Sequence, residues 1–244
     1  MTTGSGAPAG AGSGRTAAAL ARNDAYLRGF VEALGLCPYA KACREGGRLH
    51  RRVLLSRGGE PGTAGFAQAV SEAAAAALEL ERPLHDSVEV ALLLFPALTP
   101  ALARGASGAQ AFDALCAALR EELRLAHERR GAGPEGAAGP PPFYCVAFHP
   151  DLPEDLADAH RAVAFIRRSP DPTLQLVRRT VLQAVRGYQG SILADPRGLS
   201  AEQLLAVAGA RSVSDRIAEA NLATLRREGA GKIRALLAGI REGG

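Results

Sequence analysis

Apolar positions along the chain fall into two rhythms, and their order predicts an alternation of helices and strands. Between Arg15 and Leu34, residues Leu20, Tyr26, Leu27, Phe30, Val31 and Leu34 recur near helical spacing, and Gly35 supplies a C-terminal stop. Leu36 to Gly47 reads as a loop or short turn. Leu49 to Ser56, with the run Val53-Leu54-Leu55, reads as a strand broken by Gly58, Gly59, Pro61 and Gly62. Thr63 to Leu80 is Ala-rich and helical. Ser87 to Phe95 (SVEVALLLF) is a strand whose near-continuous apolar run predicts burial on both faces. Ala109 to Glu128 reads as a long helix and Phe143 to Phe148 (FYCVAF) as a strand. Short and longer helices are predicted over Leu152–Phe165 and Pro172–Arg186, and further helices over most of 200–241. Residues 1–14, all small or Pro-containing without pattern, read as a disordered tail, and Arg130 to Pro142 as a flexible surface loop.

This alternation predicts one α/β domain over residues 15–244, with a small, mostly parallel or mixed sheet of about three to four strands flanked by helices. In open α/β sheets ligands gather beyond the carboxyl ends of strands. For the third strand that end is His149-Pro150-Asp151.

Composition narrows the class further. The chain has 244 residues, 47% hydrophobic and 22% charged, which excludes collagen, coiled coil and wholesale disorder. No run of 18 uncharged apolar residues predicts a membrane span. The N-terminal stretch lacks the basic start and apolar core of a secretory signal, so the expected setting is cytoplasmic and reducing. Net charge is +4, yet almost all basic residues are arginines scattered among acids; only Lys41 and Lys232 are lysines. Trp is absent and aromatics make up 5%, so neither a basic stripe nor stacking platforms point to nucleic acid. A small anionic molecule suits the modest positive balance better. Oligomeric state is not legible.

Four cysteines stand at 37, 43, 116 and 145, with no CxxC pair, which argues against zinc-ribbon and thioredoxin-type sites. Cys116 and Cys145 fall on apolar element faces and read as core. His50, His85, His127 and His160 lack ligand spacing and read as surface residues, and Asp155 and Asp158 read as solvated acids on a helix face. Dinucleotide, NTP, zincin and α/β-hydrolase signatures are absent.

Three stretches carry candidate chemistry. Cys37 lies at a helix-to-loop junction, where a neighbouring base or cation makes a thiol a nucleophile or metal ligand. His149, at a strand end, is a candidate base, and Asp151 its orienter. Arg167 and Arg168 precede Ser169-Pro170 and the predicted helix start, a pattern that makes a helix cap and, with exposed N–H groups, an anion site.

The segments GLCPYAKACREGGRLHRRV (35–53), VAFHPDL (146–152) and RRSPDPTLQLVRR (167–179), in this order, resemble the bacterial family catalogued as domain of unknown function 1415. The likeness extends from about residue 20 to Asn221-Leu222. Departures from the family pattern stand at Leu152, Arg167, Gln175 and Arg179, which marks a divergent member. The resemblance implies that Cys37, His149 and Arg168 meet in space, and it implies no reaction.

The sequence therefore leaves three readings. One is a thiol-dependent enzyme with Cys37, His149 and Asp151 as its catalytic set and Arg167, Arg168 and Ser169 holding a small anionic substrate. The second is a metal- or haem-binding protein using Cys37 and His149, its cofactor unknown. The third is a non-catalytic interaction module in which these residues brace loops.

Overall fold

The computed structural model describes residues 9–81, 87–131, 141–182 and 213–243. Helix α1 (Ala9–Tyr26) runs into a π-helical turn (Leu27–Glu32) and is followed by α2 (Ala40–Glu45) and β1 (Leu49–Val53). Next come α3 (Ala64–Leu80), β2 (Val90–Leu94), the short α4 (Pro100–Ala103) and α5 (Gly105–Gly131). β3 (Phe143–Phe148), α6 (Ala159–Ile166) and β4 (Thr173–Arg178) complete the sheet, and α7 (Val213–Glu228) and α8 (Ala230–Glu242) close the chain.

The four strands form one sheet in the order β1-β2-β4-β3. β1 and β2 are parallel and enclose α3 as a crossover helix, the arrangement their separation in sequence requires. β4 runs antiparallel to β2 on one side and to β3 on the other, so the sheet is mixed with one parallel pair.

Alternation along the strands divides the interior in two. Ala91, Leu93 and Phe95 with Cys145, Leu174 and Leu176 pack against α3, α4 and α5. Leu92 and Leu94 face the other way, onto Tyr26 of α1, Leu27, Phe30 and Val31 of the π-turn, Phe165 of α6 and Ile233 of α8. Ala-rich α3 suits the first layer: Ala69, Ala73 and Ala77 are fully buried and let the helix lie close to its neighbours. Thr63 caps it, its hydroxyl accepting from the Phe66 N–H.

Several expectations are corrected. The segment from Pro172, read as a helix, is strand β4; helix begins only at residues 179–182, and the rest of that prediction lies outside the described residues. The predicted loop 36–47 contains α2. The helix expected from Leu152 starts at Ala159, where Asp158 accepts from the His160 and Arg161 N–H groups, so Asp158 is its cap and Asp155 precedes it. α1 begins at Ala9, inside the expected tail, while residues 1–8 and most of the 130–142 loop lie outside the described residues. His127, expected on the surface, is largely covered and bonds the Glu81 carboxylate at 2.8 Å; His85 lies outside the described residues. No described helix is long and apolar enough to cross a membrane.

β4 is central and Leu174 is fully buried in the α3–α5 layer. Leu174→Ala is expected to cost about 3 kcal/mol, read as a lower denaturant midpoint at unchanged m-value.

Candidate functional site

Cys37 is positioned by the way the first helix ends. The π-turn stops at Gly35, whose φ of +64° is costly for residues with a Cβ. The Leu36 N–H donates back to the Val31 carbonyl at 2.9 Å, and the Cys37 carbonyl accepts from Ala40 as α2 begins. A bidentate pair, Arg44 Nε and Nη2 on the two Glu32 oxygens at 2.7 and 2.8 Å, clasps α2 to the π-turn. The Arg44 guanidinium also holds the Glu32 carboxyl below the usual carboxylate range. Cys37 is left exposed at the rim of a cavity of about 270 Å³.

That cavity lies between the π-turn and the sheet face made by β2 and β4. Its walls are mainly apolar, including Leu27, Val31, Leu92, Phe148 and Val177. Polar groups enter at few points: Asn23 from α1, Ser169 and Thr173 from the start of β4, Gln175 from β4, and Glu89 before β2. Asn23 is 2% exposed and its Oδ1, fully covered, has no hydrogen-bond partner. Such an atom costs free energy unless something donates to it. Cys43 also lines the cavity; burial, and then the neighbouring Glu89 carboxylate, push its thiol up to about 11.

His149 is elsewhere. Phe148 faces the Cys37 cavity, so the next residue points to the opposite side of the sheet. There the imidazole packs beside Phe112, ring centroids 6.0 Å apart, and is 1% exposed. Its Nδ1 accepts from the Asp151 N–H at 3.1 Å, and Nε2 lies 3.0 Å from the Leu102 carbonyl. A nitrogen that accepts carries no proton, so the ring is the neutral Nε2–H tautomer, donating to Leu102. Both nitrogens are occupied by backbone. Burial pulls its pKa below the ordinary histidine value, opposed by the Leu102 carbonyl and Asp151.

The other expected site residues are likewise engaged internally. Asp151 does not orient the imidazole with its carboxylate: Oδ2 accepts from the Gly105 N–H at 2.7 Å, at the start of α5. Arg168 donates from Nε to the Pro150 carbonyl and pairs with Glu154, which Arg234 also contacts. Arg167 closes the C-terminus of α6, and its carbonyl accepts from the His149 and Ser169 N–H groups. The Ser169 hydroxyl donates to the Asp171 carbonyl at 2.6 Å. Because Ser169-Pro170 leads into a strand, the expected helix-start anion site does not form. Of the six expected site residues, Cys37 and Ser169 share a cavity; the other four lie outside it. Among the described residues no group of three or more His, Cys, Asp and Glu is placed to hold a metal.

Sequence reasoning missed Asn23, Glu89 and Gln175. Gln175 was detectable: Leu174-Gln175-Leu176 alternates as a half-polar strand does. Asn23 carried no sequence signal, since one amide on a helix reads as surface.

Comparison with protein-family models, curated proteins and solved structures returned no match.

The His149 geometry has a pH consequence. With the folded pKa depressed, its contribution to stability is complete above the unfolded value near 6.5 and is lost as pH falls below it. His149→Gln, which keeps a donor and an acceptor, is expected to flatten the stability profile between pH 7 and 5. The wild type is expected to lose up to about 1.4 kcal/mol more per pH unit than the variant in the steepest region, measured by urea unfolding across that range.

Proposed function

We propose that the cavity rimmed by Cys37 is the working site of this chain, and that the protein is a thiol-dependent enzyme for a small, largely apolar molecule. The observation that supports this reading is an exposed thiol at the rim of a mainly apolar cavity that polar side chains enter at only a few points. An apolar body fills the space against Leu92 and Val177, and the polar side chains of Thr173 and Gln175 on the sheet face orient it. Cys37 is the nucleophile. Glu89 also lines the cavity; its Oε1 accepts from Arg48 at 2.8 Å, and its carboxylate is the one offered as proton acceptor. His149 has no part in it, because both of its nitrogens are committed. An anionic substrate is disfavoured for the same kind of reason, since Arg168 is already paired.

A working thiol requires a reducing setting, which goes with a cytoplasmic location. The stretches resembling domain of unknown function 1415 belong to the same proposal. They bring Cys37 and Ser169 to one cavity, and in this chain they use the His-Pro-Asp triplet to brace the start of α5.

Alkylation kinetics at Cys37, followed by peptide mass spectrometry, test this reading. Covering about 60 Å² of a phenyl ring at about 25 cal/mol per Å² is worth about 1.5 kcal/mol, roughly tenfold in rate. N-phenylmaleimide is therefore expected to outpace iodoacetate at Cys37 by about ten times more than it does with free glutathione. An unchanged ratio, or preference for the anionic reagent, overturns the apolar-site reading.

Asn23→Leu provides an independent check. Removing an unsatisfied buried oxygen while keeping side-chain volume is expected to leave the unfolding free energy unchanged or raise it by up to about 1 kcal/mol, measured by urea unfolding. A loss of more than that shows Asn23 to be structural.

A further inference from the structure

On the other face of the sheet a second pair of thiols is in contact. Cys116 of α5 and Cys145 of β3 place their sulfurs 3.3 Å apart, with both residues buried. Arg120, one turn along α5, aims Nη2 at the Cys116 sulfur from 3.6 Å, while its Nε donates to the Cys116 carbonyl. The Asp113 carboxylate acts on the same pair, its charge opposing ionisation of Cys116. Cys145 lines a cleft of about 410 Å³ between α5 and the outer strand β3, whose walls include Arg120, Leu123, Phe143 and Tyr144. Two sulfurs in contact, a cation on one of them and a path to solvent beside the other go beyond what packing requires.

We propose that Cys116 and Cys145 are a reversible dithiol–disulfide couple that reacts with small hydroperoxides. We assign the attacking sulfur to Cys116 on geometry, because the Arg120 Nη2 lies 3.6 Å from it, which leaves Cys145 as the S–H donor of the pair; that partner and the guanidinium act to lower the Cys116 pKa against burial. Cys145 keeps its proton, its pKa raised by Cys116 and by burial. In the first step the Cys116 thiolate attacks one peroxide oxygen. The S–O bond forms, the O–O bond breaks, and the departing hydroxide or alkoxide takes the Cys145 proton. The Cys145 thiolate then attacks the Cys116 sulfenic sulfur; the S–S bond forms and hydroxide leaves, protonated by solvent. For hydrogen peroxide, two thiols and one peroxide give one disulfide and two waters. A movement of about 1.3 Å brings the sulfurs to bonding distance. Reduction by an external dithiol restores the pair through thiol–disulfide exchange. Cys145 is 3% exposed and Cys116 fully buried, so an oxidant entering from the cleft has to pass Cys145 to reach the attacking sulfur, which favours small hydroperoxides.

The test uses the full-length chain carrying Cys37→Ser, so its outcome is separable from the reading of the Cys37 cavity. The protein is treated with hydrogen peroxide, quenched with catalase, denatured in N-ethylmaleimide and digested for mass spectrometry. The expected result is a Cys116–Cys145 cross-linked peptide, reversed by dithiothreitol, with Cys43 recovered alkylated. A bulky aromatic disulfide, dithiobis-nitrobenzoate, is expected to react with neither thiol of the folded protein. Arg120→Met is expected to slow the cross-link about tenfold, and Arg120→Lys, which keeps the charge, to retain most of the rate. Recovery of Cys116 and Cys145 as separate alkylated peptides overturns the proposal. Equal rates in the wild-type and Met chains, with both folded by circular dichroism, remove Arg120 from it. Sulfinic acid at Cys116 without a cross-link overturns the resolving role of Cys145.

Discussion

Strand β4 is held along both edges, by β2 on one side and β3 on the other, and the segment leading into it is fixed by its own side chains and by α1. The Asp171 carbonyl accepts from the Ser169 and Thr173 hydroxyls, so the turn around Pro170 and Pro172 is stitched by its own side chains. The Asp171 carboxylate takes a bidentate grip from Arg22 at 3.0 Å, joining this turn to α1. One turn on along α1, the Tyr26 hydroxyl donates to the Ile166 carbonyl at 2.8 Å. Planar, two-pronged bonds of this kind fix orientation as well as distance. The consequence is a fixed register: Leu174 and Leu176 enter the α3–α5 layer while Thr173, Gln175 and Val177 line the Cys37 cavity. A slip by one residue would exchange the two sets and abolish cavity and core together.

Elements with one dominant pattern were legible before the fold was seen. β2 reads as a two-sided buried strand because a central strand has no polar face to show, and α3 reads as a helix from its cap and its alanines. β4 was not legible, for a definite reason. Its apolar residues Leu174, Val177 and Val181 also satisfy helical spacing, and the helix at 179–182 continues that pattern. What decides between the two is pairing with β2 and β3, which are far away in sequence and leave no local trace. The same limit applied to the site. Proximity in sequence placed His149 and Asp151 as a catalytic pair, whereas strand alternation turns the ring away from Cys37 and the backbone takes both nitrogens.

His149, a candidate base in the sequence, has both ring nitrogens engaged by backbone in the fold. The loop between β3 and α6 must turn sharply and meet α4 and α5, and its backbone leaves the Asp151 N–H and the Leu102 carbonyl with needs of opposite sign. A neutral imidazole meets both at once, which neither a hydroxyl of one carbon's reach nor a carboxylate does. Asp151 then completes the joint by accepting from Gly105, where a positive φ of +71° opens α5.

The sheet also separates two thiol environments that composition alone could not distinguish. On one face Cys43 sits beside the Glu89 carboxylate, and burial and negative charge act in the same direction, holding the proton on sulfur. On the other, Cys116 lies deeper still, but a second sulfur and a guanidinium face it, and their influence on its pKa runs against that of burial. Depth of burial is therefore a poor guide to cysteine chemistry in this fold; the sign of the nearest partner decides. Cys116, fully buried, thus meets a sulfur and a guanidinium where Cys43 meets a carboxylate, and the exposed Cys37 borders a cavity on the opposite face of the sheet.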